Sequence, residues 1–254
     1  MASDAIFEAR DIEKRFGRVV ALRGASLDLR EGEVHALVGD NGAGKSTLIK
    51  VISGVLQPDA GEILLDGKPT SVGNPREART LGIETVYQDL ALADHLDAAS
   101  NLFLGREALL PRPLSWLGFL NRRSMRRRAE AEMRRLKIGI QSVQQPVLSL
   151  SGGQRQAIAV ARAIAWGTRI VIMDEPTAAL GVRESAQVIE LIGEVRNQGI
   201  AVIMISHNLP ETFTVADRIT VMRLGQTIAT RPTVDSNVEE IVRLITGLST
   251  GLAA

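Results

Sequence analysis

Three short stretches carry residues whose types and spacing could act on a nucleoside triphosphate. Gly39-Asp40-Asn41-Gly42-Ala43-Gly44-Lys45-Ser46, followed by Thr47, satisfies G-x-x-x-x-G-K-[ST]. Polyphosphate must be wrapped by backbone N–H groups. Glycines permit the unusual dihedrals and the close approach this needs, and a helix starting there presents its positive end. Lys45 would add a charge at the β- and γ-phosphates, and Ser46 a hydroxyl for Mg²⁺. In Ile170-Val171-Ile172-Met173-Asp174-Glu175 an apolar run ends in two adjacent acids, with Pro176 next. Ligands of open α/β sheets gather at the carboxyl ends of strands, so Asp174 is expected near a hydrated Mg²⁺ and Glu175 near an attacking water. The competing reading is two acids capping the next helix. Leu150-Ser151-Gly152-Gly153-Gln154 has a capping-box spacing, with Ser151 at the N-cap and Gln154 three residues on. It reads either as a well-capped helix or, because two glycines leave the backbone unshielded, as a second anion seat.

Such groups need a rigid frame, and the surrounding pattern supplies one. Val34, Ala36 and Val38 alternate before the first loop, while Leu48, Ile49 and Ile52 follow at helical spacing and Gly54 closes the helix. Glu62–Leu65 before Asp66-Gly67 predicts a short antiparallel strand pair. From about Leu90 to Arg135 the chain is rich in Ala, Leu and Arg, with Pro111 and Pro113 inside it, which predicts a helical subdomain containing a loop. Ile170–Met173 and Ile200–Ile205 read as doubly covered strands. Val188, Leu191, Ile192 and Val195 between them mark a crossover helix, hence a parallel sheet. The predicted class is α/β, a P-loop NTPase with a mostly parallel central sheet, an N-terminal antiparallel β part and a helical subdomain.

Composition narrows the alternatives. At 254 residues, 45% apolar and 23% charged, the chain is ordinary globular material with ample core. It contains no cysteine, which excludes disulfides, thiolate metal sites and cysteine nucleophiles, and its three histidines leave little for a metal cluster. No cleaved signal and no membrane span are expected. Net charge is +1, so a global hold on nucleic acid is not indicated. Arg122–Lys137, however, holds eight basic residues against Glu130 and Glu132.

Together these stretches resemble the nucleotide-binding subunit of ABC transporters over nearly the whole chain: a Walker A loop at 39–46, the family signature at Leu150–Gln154 and a Walker B strand at 170–175. The resemblance implies one cassette over 1–254, with a RecA-like core at about 1–87 and 160–254 and the helical subdomain at about 88–159. It implies that Gln88 is the Q-loop residue reaching Mg²⁺, that His207 is the switch histidine at the γ-phosphate, and that Phe16 stacks on adenine. By residue type alone, His207 would be a structural polar group and Phe16 or Gln88 packing or surface. The resemblance further implies a head-to-tail dimer in which Ser151 and Gly153 of one chain meet the γ-phosphate held by Lys45 of the other. One departure stands out: Gly181 follows Ala179-Leu180 where the family commonly has Asp, which puts that loop's usual contact across the dimer in doubt.

Asp66-Gly67-Lys68-Pro69, Thr85–Leu90, Asn101–Glu107 and Glu175–Gly181 look like the bacterial monosaccharide importers, and the single cassette resembles the fructose-type members. This subclass implies ATP and Mg²⁺, membrane permease subunits, a sugar-binding protein outside the membrane, and a peripheral position on its cytoplasmic face. In the family the basic segment Arg122–Lys137 lies in the subdomain facing the membrane protein. It reads as a solvated helix, or as a contact for anionic headgroups or an acidic coupling surface. The rival functions are a soluble ATPase of the same superfamily acting on nucleic acid or ribosomes, and a scaffold that binds ATP without hydrolysing it.

Overall fold

The computed structural model describes residues 5–112 and 114–247; Pro113, one of the two prolines expected to interrupt the helical middle, lies outside them. Two twelve-residue strands, β1 (Ala5–Phe16) and β2 (Val19–Arg30), open the chain as an antiparallel pair. Phe7, Ala9 and Ile12 of β1 and Leu22, Leu27 and Leu29 of β2 point into one core. Next come β3 (Val34–Val38), buried throughout, the glycine-rich loop, and α1 (Lys45–Ile52), closed by Gly54 at φ +73° as its position predicts. The expected hairpin at Asp66-Gly67 joins β4 (Ala60–Leu65) to β5 (Lys68–Pro69). It is followed by α2 (Pro75–Thr80) and β6 (Ile83–Val86).

The middle of the chain is less helical than its composition suggests. It contains α3 (Ala98–Leu102), α4 (Arg122–Arg135) and α5 (Gly152–Ile164). Between α3 and α4, the described residues from 103 to 121 contain no α-helix and one short 3₁₀ turn, at Leu114–Leu117. Gly105 and Gly118 take left-handed dihedrals there, and Pro111 has no N–H to give a helix. The excursion is closed instead as a hairpin, with a bridge between Leu109 and Leu120 and the Leu110 N–H donating to the Phe119 carbonyl at 2.9 Å. Trp166, after α5, ties it down: Phe103 meets its ring edge-on at 5.3 Å, and the guanidinium groups of Arg106 and Arg128 lie 5.2 and 5.1 Å from its centre.

The expected crossover follows as β7 (Ile170–Asp174), α6 (Val182–Asn197) and β8 (Ala201–Ile205). Beyond it stand α7 (Leu209–Val215), β9 (Arg218–Arg223), β10 (Gln226–Pro232) and α8 (Val238–Thr246). One sheet is antiparallel, ordered β2-β1-β4-β5, and the other runs β10-β9-β3-β8-β7-β6, parallel except for β10. Alternate residues of the central strands feed two cores. Val171 and Met173 face the helices α3 to α8, whereas Ile170 and Ile172 face α1 and the antiparallel sheet. Because β3, β8 and β7 are adjacent and parallel, their carboxyl ends open side by side.

Candidate functional site

The loop after β3 is shaped by what lies behind it. A Cβ on Gly39 would run into the Met222 carbonyl oxygen of β9, so only glycine fits. The turn between β9 and β10 buttresses the loop: the Gly225 N–H donates to the Ala43 carbonyl at 3.0 Å, and the Arg23 N–H of β2 donates to the Gly225 carbonyl at 2.8 Å. Nothing in the sequence pairs Gly225 with Ala43; the turn is recognisable locally, its partner is not.

The amino end of α1 is open. Gly44 at its N-cap offers no side-chain acceptor and the first turn has no acid. In the seven other α-helices described, a side chain from the N-cap or the first turn meets the terminal N–H groups. Helix ends leave about four N–H groups unpaired, so α1 is the start that lacks an internal acceptor and suits an external anion. Lys45 lies beneath it, buried, its ammonium donating to the carbonyls of Gly39 at 2.7 Å and Asp40 at 3.0 Å. Burial pushes its pKa down, while the charges of Glu175, Asp40 and Asp174 pull the other way. Asp40, Asn41, Gly42 and Ser46 are exposed, Thr47 half-buried.

Asp174 ends β7, and burial, then the neighbouring Glu175 charge, raise its pKa against the pull of Lys45 and Lys50. Glu175 sits at φ +50°, a left-handed conformation costing a non-glycine residue about 1 kcal/mol. Its N–H still donates to the Ile205 carbonyl of β8 at 3.0 Å, so the ladder holds while the chain turns. His207 stands two residues past β8, its Nδ1 3.0 Å from Glu175 Oε1. The buried Ser206 accepts the Asn208 N–H at 3.0 Å and fixes this turn. Thr177 donates to Glu211 of α7 at 2.6 Å, joining the two loops; neither residue was singled out from the sequence. Among the described residues no three or more His, Cys, Asp or Glu side chains converge on a common point. The donors present, the Ser46 hydroxyl and the Asp174 carboxylate, are hard oxygens that fit Mg²⁺ shared with phosphate.

The second helix start behaves differently. Ser151 Oγ accepts the Gln154 N–H at 3.3 Å and Gln154 Oε1 accepts the Ser151 N–H at 3.1 Å, completing the predicted box; Gln154 also donates to the Gly139 carbonyl at 2.8 Å. The expectation of unshielded glycines is corrected, because Gly153 is buried with Glu184 of α6 against it and Leu180 covers Gly152. The glycines here allow α6 and the loop before it to approach closely, and Ser151 is what the surface presents. Gly181 caps α6 through Glu184, whose carboxylate accepts the Gly181 N–H at 3.4 Å. Thus Lys45, Asp174, Glu175 and His207 come together within the chain, whereas the contacts of Ser151 and Gly153 run to Gln154 and Glu184. Phe16 stands half-exposed at the end of β1 with the Lys14 ammonium 6.0 Å from its ring centre, and Gln88 is exposed two residues beyond β6.

Residues 22–178 match the family model described as ABC transporter. The chain belongs to the ABC transporter family. This ABC cassette is 51% identical to the fructose import ATP-binding protein FrcA of Rhizobium meliloti, over 97% of the chain and 96% of that protein. It is 45% identical to the xylose/arabinose import ATP-binding protein XylG of Sulfolobus acidocaldarius, with the same coverages. It spans 46% of the ribose import ATP-binding protein RbsA 2 of Rubrobacter xylanophilus, at 43% identity over 95% of the chain. Among solved structures it resembles a nucleotide-free ATP-binding cassette from an ABC transporter (TM-score 0.77, 27% identical, 95% of each chain). It likewise resembles the ADP conformation of MJ1267, an ATP-binding cassette of an ABC transporter (TM-score 0.78, 27% identical, 95% of each). As an ABC cassette the chain is an ATPase, and the α/β P-loop class expected from its motifs is the one observed.

Proposed function

We propose that this ATPase is the energy-supplying subunit of a monosaccharide importer, with fructose as its sugar. The convergence of Lys45, Asp174, Glu175 and His207 at the carboxyl ends of β3, β7 and β8 carries the catalytic part of the reading. The 51% identity to a fructose import protein over nearly the full chain supports the sugar. Import relatives favour this over action on nucleic acid or ribosomes.

The loop amides of 39–47 and Lys45 hold the β- and γ-phosphates, and Phe16 stacks on adenine. Ser46, Asp174 and Gln88 hold Mg²⁺, which neutralises phosphate charge when bound. Glu175 orients and deprotonates the attacking water, while His207 bears on the γ-phosphate and steadies the base. Ser151, Gly153 and Gln154 complete the site of a second cassette packed head to tail. That Ser151 is exposed supports this arrangement. Residues 88–159 form the subdomain that meets the permease, and about 1–87 and 160–254 the core. Among the described residues no helix is long and apolar enough to cross a membrane. The reading therefore has permease subunits and an external sugar-binding protein as partners, with this subunit peripheral on the cytoplasmic face.

The test is Glu175→Gln. ATP binding is expected to persist, a dimer to accumulate with Mg·ATP, and turnover to fall by about 10²–10⁴-fold. Wild-type turnover would refute the assignment. Co-purified permease and binding protein whose ATPase responds to fructose would support the sugar, and a response to another monosaccharide would replace it.

A further inference from the structure

The excursion between α3 and α4 displays apolar side chains where no core needs them. Trp116 and Leu117 are 77% and 75% exposed, and Phe119 beside them is half-exposed. The base of this hairpin is closed, the Asn121 N–H donating to the Ala108 carbonyl at 2.6 Å, and Arg112 lies 5.7 Å from the centre of the Trp116 ring. The hairpin leads straight into α4, whose first turn holds Arg122 and Arg123 and no acid, although cations oppose the helix dipole at that end.

The basic residues of the segment are not equivalent. Arg128 stacks on Phe103 and Trp166, Arg135 pairs with Glu132 at 2.8 Å, and Lys137 pairs with Glu194 of α6 at 2.6 Å. Arg122, Arg123, Arg127 and Arg134 are exposed, and among the described residues none of them forms an ion pair. Arg123, Arg127 and Arg134 line one shallow groove along α4.

We propose that the hairpin tip and the exposed arginine stripe of α4 form a docking surface for the anionic headgroups of a lipid bilayer. Trp beside aliphatic side chains and Arg is the combination that partitions into the headgroup layer, the rings at the acyl boundary and the guanidinium groups on phosphate. The arginines spread over three helical turns along an open groove in which Glu130 is the one acid among the described residues, which suits a diffuse field of lipid charge better than one acidic protein epitope. The proposal does not depend on which sugar is carried.

The test is flotation of the full chain with vesicles of phosphatidylcholine, with or without phosphatidylglycerol. Binding is expected only with phosphatidylglycerol and is lost as salt rises. Arg123→Gln with Arg127→Gln weakens it about 25-fold, at roughly fivefold per basic residue near an anionic surface. Trp116→Ser weakens it about tenfold. Thermal unfolding and ATP hydrolysis stay at wild-type values in both, which separates this surface from the catalytic reading. Failure to bind phosphatidylglycerol vesicles, equal binding to neutral ones, or unaltered binding by the variants overturns the proposal. Weaker association with detergent-solubilised permease while vesicle binding persists also overturns it, assigning the stripe to an acidic protein surface.

Discussion

His207 Nδ1 lies 3.0 Å from Glu175 Oε1, although the two residues are 32 positions apart and stand on different strand ends. Two parallel neighbours, β7 and β8, deliver them to the same edge, and the Glu175 N–H anchored on the Ile205 carbonyl fixes the carboxylate beside the ring. The close approach of ring and carboxylate gives His207 a place beside the acid at the mouth of the site.

His207→Ala should therefore lower kcat by about 10²–10³-fold, the range of a positioned catalytic group, while ATP affinity changes little. Steady-state turnover alongside equilibrium nucleotide binding checks this. A large loss of binding instead would make His207 a ligand anchor.

Gly39→Ala and Gly42→Ala separate two requirements of the loop. Both residues have positive φ, but a Cβ at Gly39 meets the Met222 carbonyl whereas nothing lies within 4 Å of one at Gly42. Gly42→Ala should cost about 1 kcal/mol of stability from backbone strain alone, and Gly39→Ala about 3 kcal/mol or more. Urea unfolding of both variants measures the difference.

If each site draws Lys45 from one chain and Ser151 from the other, two dead variants should rescue one another. Lys45→Ala and Ser151→Arg, each inactive alone, should on equal mixing regain up to about a quarter of wild-type ATPase, since half the dimers carry one intact site. No activity above that of the separate variants would rule out the shared site.

Arg218 of β9 joins the two sheets, reaching Asp28 at 2.7 Å and Glu33 at 3.2 Å. Burial raises the Asp28 pKa, but the Arg218 hydrogen bond and charge more than offset this and hold it below the usual carboxylate range. The folded pKa is thus the lower one, so this stabilisation is present above the ordinary carboxylate pKa and is lost as pH falls through the folded value. Asp28→Asn should cost about 1 kcal/mol at pH 7, discounted for partial exposure. That deficit should vanish once the pH lies below the folded value, where the Asp28 carboxyl is protonated in the folded and unfolded chain alike. Denaturant melts in a series from pH 7 downward read the change.

The phosphate loop, the acid pair and the capping box were legible because each is a local pattern: spacing along a few residues determines which groups share a turn or a helix start. β1 and β2 were only dimly visible. The register shifts between Ala9 and Ile12 and between Lys14 and Arg15 break the two-residue alternation that marks a strand. In the middle of the chain the loop expected around Pro111 is visible because Gly105, Pro111 and Gly118 stop a helix that Ala, Leu and Arg would otherwise favour, but its closure as a hairpin is not, since that bridge joins residues eleven apart.

By itself, the sequence determined that a glycine-rich loop with Lys45 opens α1, that an acid pair ends β7, and that the strands around them run parallel, because glycine, lysine and β-branched residues impose these things within a few bonds. Tertiary structure alone decided that His207 touches Glu175, that Gly225 supports Ala43, and that Glu184 covers Gly153. Those contacts join residues far apart along the chain, and they exist only once the order of the sheet and the packing of α6 on α5 have placed the elements.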